Sequence, residues 1–325
     1  MRIGIVERTF ALYLVLLALA PLVIKGYWLH VMILGNIYAI LAMTLDLLVG
    51  YTGLMSFAHG GFFGLAAYSS AILSKTFEMN PWVSLVAATM ITICIGGAFG
   101  LSFSGVRGHY FAICSIGLNQ IIWLIMLNWY ELTRGMLGFY GVPPYPGLPY
   151  TKEAYFYLSF AVFVLAFLVL RKLTNSPLGL KLRAVRDDEG AAQSVGINSV
   201  RCKTTAFVIG CAFTGVAGSI YAHFHLLVAP ETCHISVSSV VLAMVLIGGK
   251  GTLIGPALMA YFLEFITEYF RIFSAYLRLF ATGILIIFII KFMPEGVLGF
   301  IRERYLRPRK MFGTAESRGV PVRKG

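Results

Sequence analysis

Charged side chains are scarce in this sequence of 325 residues. They make up 12% of it, about half the share typical of soluble domains, whereas hydrophobic residues reach 58% and the mean hydropathy is +0.82. A bilayer core about 30 Å thick is crossed by a helix of roughly 20 apolar residues. The composition therefore excludes an ordinary soluble protein and predicts an all-α polytopic membrane protein. Continuous apolar runs also exclude a transmembrane barrel, whose segments would be short and alternating.

Motifs for nucleotide hydrolysis and for metal or disulfide chemistry are missing as well. The segment 247–252 faintly resembles a phosphate loop, but Gly251 follows Lys250 where Ser or Thr is required. The five cysteines form no CxxC pair, and the histidines around loop 223–235 are irregularly spaced for a metal site. The polar residues of the apolar runs supply no nucleophile–base–acid set. We therefore expect no enzymatic activity, no cofactor and no metal.

About ten apolar runs are long enough, or nearly long enough, to cross a bilayer as helices. They are 9–24, 28–49, 60–74, 82–104, 109–128, 154–170, 204–222, 236–249, 252–270 and 277–292. The third and eighth runs are short for a full crossing. We expect these two to be tilted, broken or partly re-entrant.

The net charge of +12 is concentrated in the connecting segments. Loop 171–203 and the tail 302–325 are rich in Lys and Arg, which is typical of cytoplasmic segments. Both termini are therefore expected in the cytoplasm, and loops 129–153 and 223–235 are expected outside. This distribution argues against nucleic-acid binding. It predicts one transmembrane domain over 1–301, followed by a basic cytoplasmic tail.

Three carboxylates, Asp46, Glu264 and Glu268, lie within or near the predicted spans. Ionisable residues at membrane depth are costly and are functional by default, so an ion-coupled transporter would use such groups. Asp46 lies near the cytoplasmic end of its run, and the two glutamates share a helix face near the outer end. We favour structural or interface roles for all three and keep ion coupling as the alternative.

Two glycine-rich segments interrupt the apolar sequence: GYTGLMSFAHGGFFG at 50–64 and IGGKGTLIGP at 247–256. Irregular backbone at membrane depth is stable only where it is buried in protein or lines a cavity. Interruptions at corresponding places in the two halves of a chain indicate an internal repeat of the kind that transporters use. Close packing of helices on small residues explains any single glycine equally well.

Four polar residues are candidates for lining a translocation path: Ser56, His59, Ser115 and Asn119. An unsatisfied polar group in hydrocarbon costs several kcal/mol, so each must face protein or water. Ser115 and Asn119 are four residues apart and share a helix face. Gln120 points about 100° away from Asn119. Hydrogen bonding between helices is the alternative role for these residues.

The polar loop 171–203 is too charged and too compatible with helix to be a plain connector. Ser176 and the following proline predict a helix start with serine as the N-cap, and Gly196 predicts its end, giving one helix over 176–197. Basic and apolar residues alternate along it, and an acidic triplet begins at Asp187. Such a helix can lie among lipid headgroups or dock in a partner's groove. The acidic triplet favours a partner.

These segments resemble the membrane subunits of branched-chain amino acid ABC importers. The likeness is carried by DLLVGYTGLMSFAHGGFFGLAAY, SIGLNQIIWLIMLNWYELTRGMLGFYGVP, SPLGLKLRAVRDDEGAAQSVGIN, AFVIGCAFTGVAGSIYA, VAPETCHISVSSVVLAMVLIGGKGTLIGP and FMPEGVLGF, which span most of 36–300. The resemblance implies a permease subunit with four kinds of partner: a second, homologous permease, two cytoplasmic ATPase subunits, an extracytoplasmic solute-binding protein and membrane lipid. ATP hydrolysis would belong to the ATPase subunits.

The resemblance also implies roles for residues of the polar loop. Those expected to couple to the ATPase are Leu180, Arg183, Arg186, Asp187, Asp188, Ala191 and Gly196. The implied function is import of a small polar organic solute across the inner membrane by alternating access. Branched-chain amino acids are the first choice of solute, and urea or short amides are the alternative. An ion-coupled secondary transporter is the alternative class.

Overall fold

The computed structural model describes residues 3–103, 105–106, 109–271 and 283, and these are mostly helical. The helices are α1 (Ile3–Val23), α2 (Tyr27–Val49), α3 (His59–Lys75), α4 (Pro81–Phe103), α5 (His109–Asn128), α6 (Tyr130–Thr133), α7 (Lys152–Thr174), α8 (Pro177–Asp187), α9 (Glu189–Ser194), α10 (Ser199–His225), α11 (Ile235–Gly248) and α12 (Ile254–Arg271). Two short strands, β1 (Phe139–Tyr140) and β2 (Leu227–Val228), and 3-10 turns at Gly135–Leu137 and Pro230–Cys233 lie in the connections.

Five of the described helices are long and apolar enough to cross a membrane: α2, α4, α7 and α10, and α5 from Tyr110 onward. The chain is thus an all-α membrane protein, as its composition predicts. The predicted runs 28–49 and 82–104 agree with α2 and α4 to within about one residue at each end, which is closer than such boundaries usually are. The run 277–292 and the tail 302–325 lie outside the described residues.

Helix α2 lies at the centre of the described bundle and packs against α7, α10, α11 and α12. Gly35 lets α12 approach closely, because a Cβ at that position would press on the ring of Tyr261. The Asn36 side chain donates to Ser159 Oγ of α7 at 3.0 Å and accepts a hydrogen bond from the Tyr261 hydroxyl. The polar groups at the centre of the bundle are therefore satisfied by neighbouring helices.

Helices α3 and α11, with 17 and 14 residues, begin inside the bundle, and their N-termini meet there. The Gly60 N–H of α3 donates to Ser238 Oγ of α11 at 2.8 Å, and both residues are buried. Gly64 lies against Cys233, just before α11. A helix of 17 residues extends only about 25 Å. The third and eighth runs therefore form short helices that begin inside the bundle, and whether they are tilted, broken or partly re-entrant in the membrane stays a prediction.

Loops 129–153 and 223–235 pack against each other at one end of the bundle. Strands β1 and β2 pair antiparallel, with Phe139 opposite Val228. We call this region, residues 135–150 together with 223–228, the β1–β2 cap. Since the charge distribution assigns both loops to one side of the membrane, their contact agrees with the predicted topology.

Candidate functional site

The polar loop forms two helices, α8 and α9, and the expectation of a single helix was wrong. Asp188 has an extended backbone, and its carboxylate accepts from the Ala191 N–H at 2.9 Å, so it ends α8 and caps α9. Ser176 occupies the predicted N-cap position, but its hydroxyl donates to the Leu173 carbonyl at 2.6 Å instead of capping α8. Gly196, with φ of 85°, follows α9 as predicted.

Helix α8 has a buried face and an exposed face. Leu182 and Val185 are buried, and Gly179 lies against the backbone of Thr174 at the end of α7. The exposed residues among the predicted coupling set are Leu180, Arg186, Asp187, Asp188, Ala191 and Gly196. Leu180 is 65% exposed. An exposed apolar side chain beside carboxylates on a surface helix is suited to a partner's groove.

A buried ion pair fixes α9 to α10. Lys203 Nζ lies 2.9 Å from Glu189 Oε1, and the lysine side chain is only 3% exposed. Removing one partner of such a pair leaves an uncompensated buried charge, which is strongly destabilising. The two surface helices are therefore attached to the membrane bundle at both ends, by α7 before α8 and by α10 after α9.

The arginines of α8 turn toward the first glycine-rich segment. Arg186 Nη1 donates to the Gly50 carbonyl at 2.7 Å, while its Nε and Nη2 donate to Asp187 Oδ1 at 3.0 and 2.8 Å. The Arg183 guanidinium lies over the Tyr51 ring at 5.1 Å from its centroid. Both arginines thus have partners within the chain. Their contact with an ATPase stays a prediction.

Asp46 joins the two glycine-rich segments. Its buried carboxylate accepts from the Gly251 N–H at 2.7 Å through Oδ1 and from the Leu253 N–H at 3.0 Å through Oδ2. Gly50 and Gly251 approach so closely that a Cβ on Gly50 would collide with the Gly251 backbone. The carboxylate oxygens are used to hold this turn, which supports the structural role favoured from the sequence. We call Asp46, Gly50, Arg186, Gly251 and Leu253 the α8 junction.

The predicted path residues of α5 form hydrogen bonds with the start of α3. Asn119 Oδ1 accepts from the Gly61 N–H at 2.7 Å, and its Nδ2 donates to the Cys233 carbonyl at 3.0 Å. Ser115 Oγ accepts from the Phe57 N–H at 2.9 Å. The shared face of Ser115 and Asn119 therefore serves hydrogen bonding between segments, which is the alternative that the sequence left open. A lining role stays a prediction.

The other two path candidates also lie at the start of α3. Ser56 Oγ accepts from the Ala58 N–H at 3.3 Å, which orders the backbone before the helix. His59 is buried with its ring 6.2 Å from that of Phe207, and neither ring nitrogen has a hydrogen-bond partner among the described residues. Gln120 lies on a different side of α5, and its Oε1 also has no hydrogen-bond partner among the described residues.

The β1–β2 cap is closed by a polar and aromatic cluster that the sequence did not predict. The His223 Nδ1–H donates to the Pro143 carbonyl at 2.6 Å, and its Nε2 lies 3.0 Å from Ser70 Oγ. The Tyr145 ring packs against the His223 ring at a tilt of 43° with centroids 4.4 Å apart, and the Tyr145 hydroxyl lies 3.1 Å from Ser219 Oγ. Burial raises the pKa of Tyr145. The sequence signal that could have indicated this cluster was the presence of small hydroxyl residues inside the apolar runs.

The histidines near this cap do not form a metal centre, since no three His, Cys, Asp or Glu side chains in the described part of the chain are placed to hold a metal ion. His223 is occupied by the contacts above, and His234 Nδ1 lies 3.0 Å from Ser236 Oγ at the start of α11. His225 stacks on Tyr221, with ring centroids 4.1 Å apart. Their side chains are thus used in packing and in local hydrogen bonds.

These features define a class of protein. Several apolar helices are long enough to cross a membrane, two shorter helices begin inside the bundle, and a surface helix pair is attached to the bundle. Short or interrupted helices of this kind are typical of membrane transporters. The chain is a multi-pass membrane protein of the transporter class.

Comparison with known proteins identifies the family. The chain belongs to the branched-chain amino acid transport system permease components, whose family model matches residues 27–290. The high-affinity branched-chain amino acid transport system permease protein LivM of Escherichia coli (strain K12) is 30% identical, over 92% of this chain and 76% of that protein. LivH of the same strain is 26% identical, over 82% and 92%. No solved structure matches the chain significantly. The permease prediction is thereby confirmed.

Proposed function

We propose that this chain is the permease subunit of an ATP-driven importer that moves branched-chain amino acids across the inner membrane. The relatives named above are permeases for these solutes. The sequence contains no GxxxxGK[ST] phosphate loop, so ATP would be hydrolysed by separate subunits. Import of urea or short amides by the same kind of assembly is the alternative solute assignment.

The observation that carries this proposal is the α8–α9 pair. It is fixed to the bundle through Leu182, Val185 and the Lys203–Glu189 pair, yet it exposes Leu180 and Asp187. A surface helix that is attached to the bundle on one face and exposes an apolar side chain among charged ones on the other is suited to receive a partner and to transmit force from it. We assign to this surface the predicted coupling residues Leu180, Asp187, Asp188, Ala191 and Gly196, with two cytoplasmic ATPase subunits as the partners. The two arginines of the predicted set turn toward the first glycine-rich segment instead.

The rest of the assembly follows from this orientation. The α8 side of the bundle would face the cytoplasm together with both termini, and the β1–β2 cap would face outward, where a solute-binding protein delivers its cargo. A second, homologous permease would complete a pseudo-symmetric pair surrounded by lipid. We also propose that residues 1–301 form a single transmembrane domain with about ten spans and an internal repeat, and that residues 302–325 form a basic cytoplasmic tail.

Alternating access would centre on the point where the N-termini of α3 and α11 meet. The four predicted path residues lie beside this point: Ser56, His59, Ser115 and Asn119. All but His59 accept a hydrogen bond from a backbone N–H group at or just before the start of α3. Repacking of the two short helices would open and close a path near these residues. His59, buried without a partner among the described residues, is our first candidate to contact solute.

An ion-coupled secondary transporter is the competing function. It requires carboxylates that are free to bind the coupling ion. Both carboxylate oxygens of Asp46 already accept backbone N–H groups, and Glu268 accepts from the Tyr27 hydroxyl. These contacts support the ATP-driven assignment over ion coupling.

Reconstitution tests the proposal. The chain is purified with the subunits that accompany it, placed in proteoliposomes, and supplied with labelled leucine and the solute-binding protein. We expect leucine uptake that requires ATP and persists when ion gradients are dissipated. Uptake that follows a proton or sodium gradient without ATP would refute the proposal. Orientation is checked in cells: Gly190→Cys should react with impermeant thiol reagents only from the cytoplasm, and Gly147→Cys only from outside.

A further inference from the structure

The α8 junction connects segments that are far apart in the sequence. Arg186 of α8 contacts Gly50, 136 positions away, and Asp46 contacts Gly251, 205 positions away. The segment that begins at Gly50 leads directly into α3, and the turn around Gly251 directly follows α11. The surface helix is therefore linked to the segment that precedes α3 and to the turn that follows α11.

We propose that Arg186 is the positioning residue that transmits movement of α8 to α3 and α11. This role rests on the proposed function, because α8 is displaced only if an ATPase acts on it. It differs from the role predicted from the sequence, in which Arg186 contacts the ATPase. Here the guanidinium acts inside the permease.

Two side chains of α8, those of Arg186 and Arg183, reach the first glycine-rich segment. The body of α8 packs against α7, α9 and α10. Toward the glycine-rich segment it extends Arg186, whose Nη1 lies 2.7 Å from the Gly50 carbonyl oxygen, and Arg183, which covers Tyr51. Asp187 accepts two further hydrogen bonds from the Arg186 guanidinium and so orients it. A planar guanidinium can satisfy both partners at once.

The contact continues from Gly50 into the bundle without a gap. Gly50 and Gly251 touch through their backbones, and Asp46 holds the turn that follows α11. The segment from Gly50 ends at the N-terminus of α3, where the Gly60 N–H donates at 2.8 Å to Ser238 Oγ near the N-terminus of α11. Energetic coupling between distant sites travels through contiguous networks of this kind. A displaced α8 would thus act on both short helices together.

The test uses the assembled transporter in proteoliposomes and measures labelled leucine imported per ATP hydrolysed. Arg186→Ala should leave assembly and ATP hydrolysis intact but lower this ratio at least about fivefold, the lower end of usual coupling effects. Lys181→Ala is the matched control, because it removes an exposed cation from the same helix. It should keep the wild-type ratio. Arg186→Lys should restore part of it, since a lysine can still donate to the Gly50 carbonyl.

The possible outcomes distinguish failure of the proposed import function from failure of the positioning role of Arg186. If wild-type protein shows no ATP-dependent uptake, the proposed function fails. If wild-type protein transports and Arg186→Ala keeps its ratio, the positioning role is overturned. Loss of ATPase assembly in Arg186→Ala, but not in Lys181→Ala, would also overturn it, because Arg186 would then be a docking residue. Should Arg186→Ala fail to insert, Arg186→Met, which keeps a long unbranched side chain but has no hydrogen-bond donor, is expected to show the same lowered ratio.

Discussion

The α8 junction and the β1–β2 cap close opposite ends of the same bundle with different chemistry. The junction depends on Arg186 and Asp46, whose charged groups bind backbone atoms of two glycine-rich segments. The cap depends on strand pairing and on Tyr145, which is buried between the rings of Trp82 and His223 at 4.4 Å from each. One end is joined by a few polar contacts and the other by packed rings.

This difference indicates which end can change during a transport cycle. The Arg186 side chain is 38% exposed, so water can replace its hydrogen bond to Gly50 at small net cost. Separating the rings at the cap would expose apolar surface, which is unfavourable. We therefore expect substitutions in the cap to reduce stability, and substitutions of exposed residues on the α8 side to affect assembly and coupling.

The largest effect on stability is expected for Tyr145→Ala. Removing a buried aromatic ring typically costs about 3–5 kcal/mol, and here the contact with Ser219 is lost as well. Tyr140→Ala, in the same cap but exposed, should cost about 1 kcal/mol or less. Thermal unfolding of the two variants in detergent gives the comparison. An equal loss of stability in the Tyr145→Ala and Tyr140→Ala proteins would show that the buried rings do not stabilise the cap.

Asp46→Ala should have the next largest effect. It removes the acceptor of the Gly251 and Leu253 N–H groups, and each unsatisfied buried group costs about 1–3 kcal/mol. Asp187→Ala, which breaks only an exposed ion pair, should cost less than about 1 kcal/mol. Denaturant or thermal unfolding measures both. Equal stability of the Asp46→Ala and Asp187→Ala proteins would contradict the structural role of Asp46.

Gly50→Ala tests the close approach of the two glycine-rich segments. The added methyl group meets the Gly251 backbone, and overpacking of this kind costs about 1–3 kcal/mol. Gly97→Ala is the matched control, because its Cβ would lie 3.5 Å from Val208 in ordinary contact. It should be neutral or slightly stabilising, as expected for glycine in a helix. The account of the junction is wrong if the two variants unfold at the same temperature.

Leu180→Glu should change stability least, by within about 0.5 kcal/mol, because the side chain lies on the surface. It should nevertheless weaken ATPase binding by about 1–2 kcal/mol, or roughly 5–30-fold, as expected for loss of an apolar interface contact. Titration of the purified permease with its ATPase subunit measures this. Unchanged affinity would remove Leu180 from the docking surface.

The helices could be predicted from the sequence because apolar runs have a length and a period that the bilayer dictates. The short third and eighth runs were recognised for the same reason. The division of the polar loop into α8 and α9 was missed, because Asp188 was counted only as part of the acidic triplet of a single helix. Its carboxylate instead caps a new helix. Because aspartate is a strongly preferred N-cap residue, Asp188 was the sequence signal that one helix could end and another begin there.

The contacts of the candidate site could not be predicted in the same way. Arg186 with Gly50 and Asn119 with Cys233 are pairs separated by more than a hundred positions. Helical periodicity places Ser115 and Asn119 on one face, but it does not say which segment that face meets. Composition likewise gave no sign of the Tyr145–His223 cluster, since aromatic residues are common throughout the chain.

The central claim is that α8 is the surface on which an ATPase acts, and site-specific photo-crosslinking tests it directly. A photoreactive residue is placed at Leu180 on α8 and, as control, at Leu227 on β2, which is 45% exposed at the opposite end of the bundle. In membranes containing the assembled transporter, we predict a crosslink to an ATP-binding subunit from position 180 and none from position 227. An ATP-binding subunit captured from position 227, or none captured from position 180, would contradict the account.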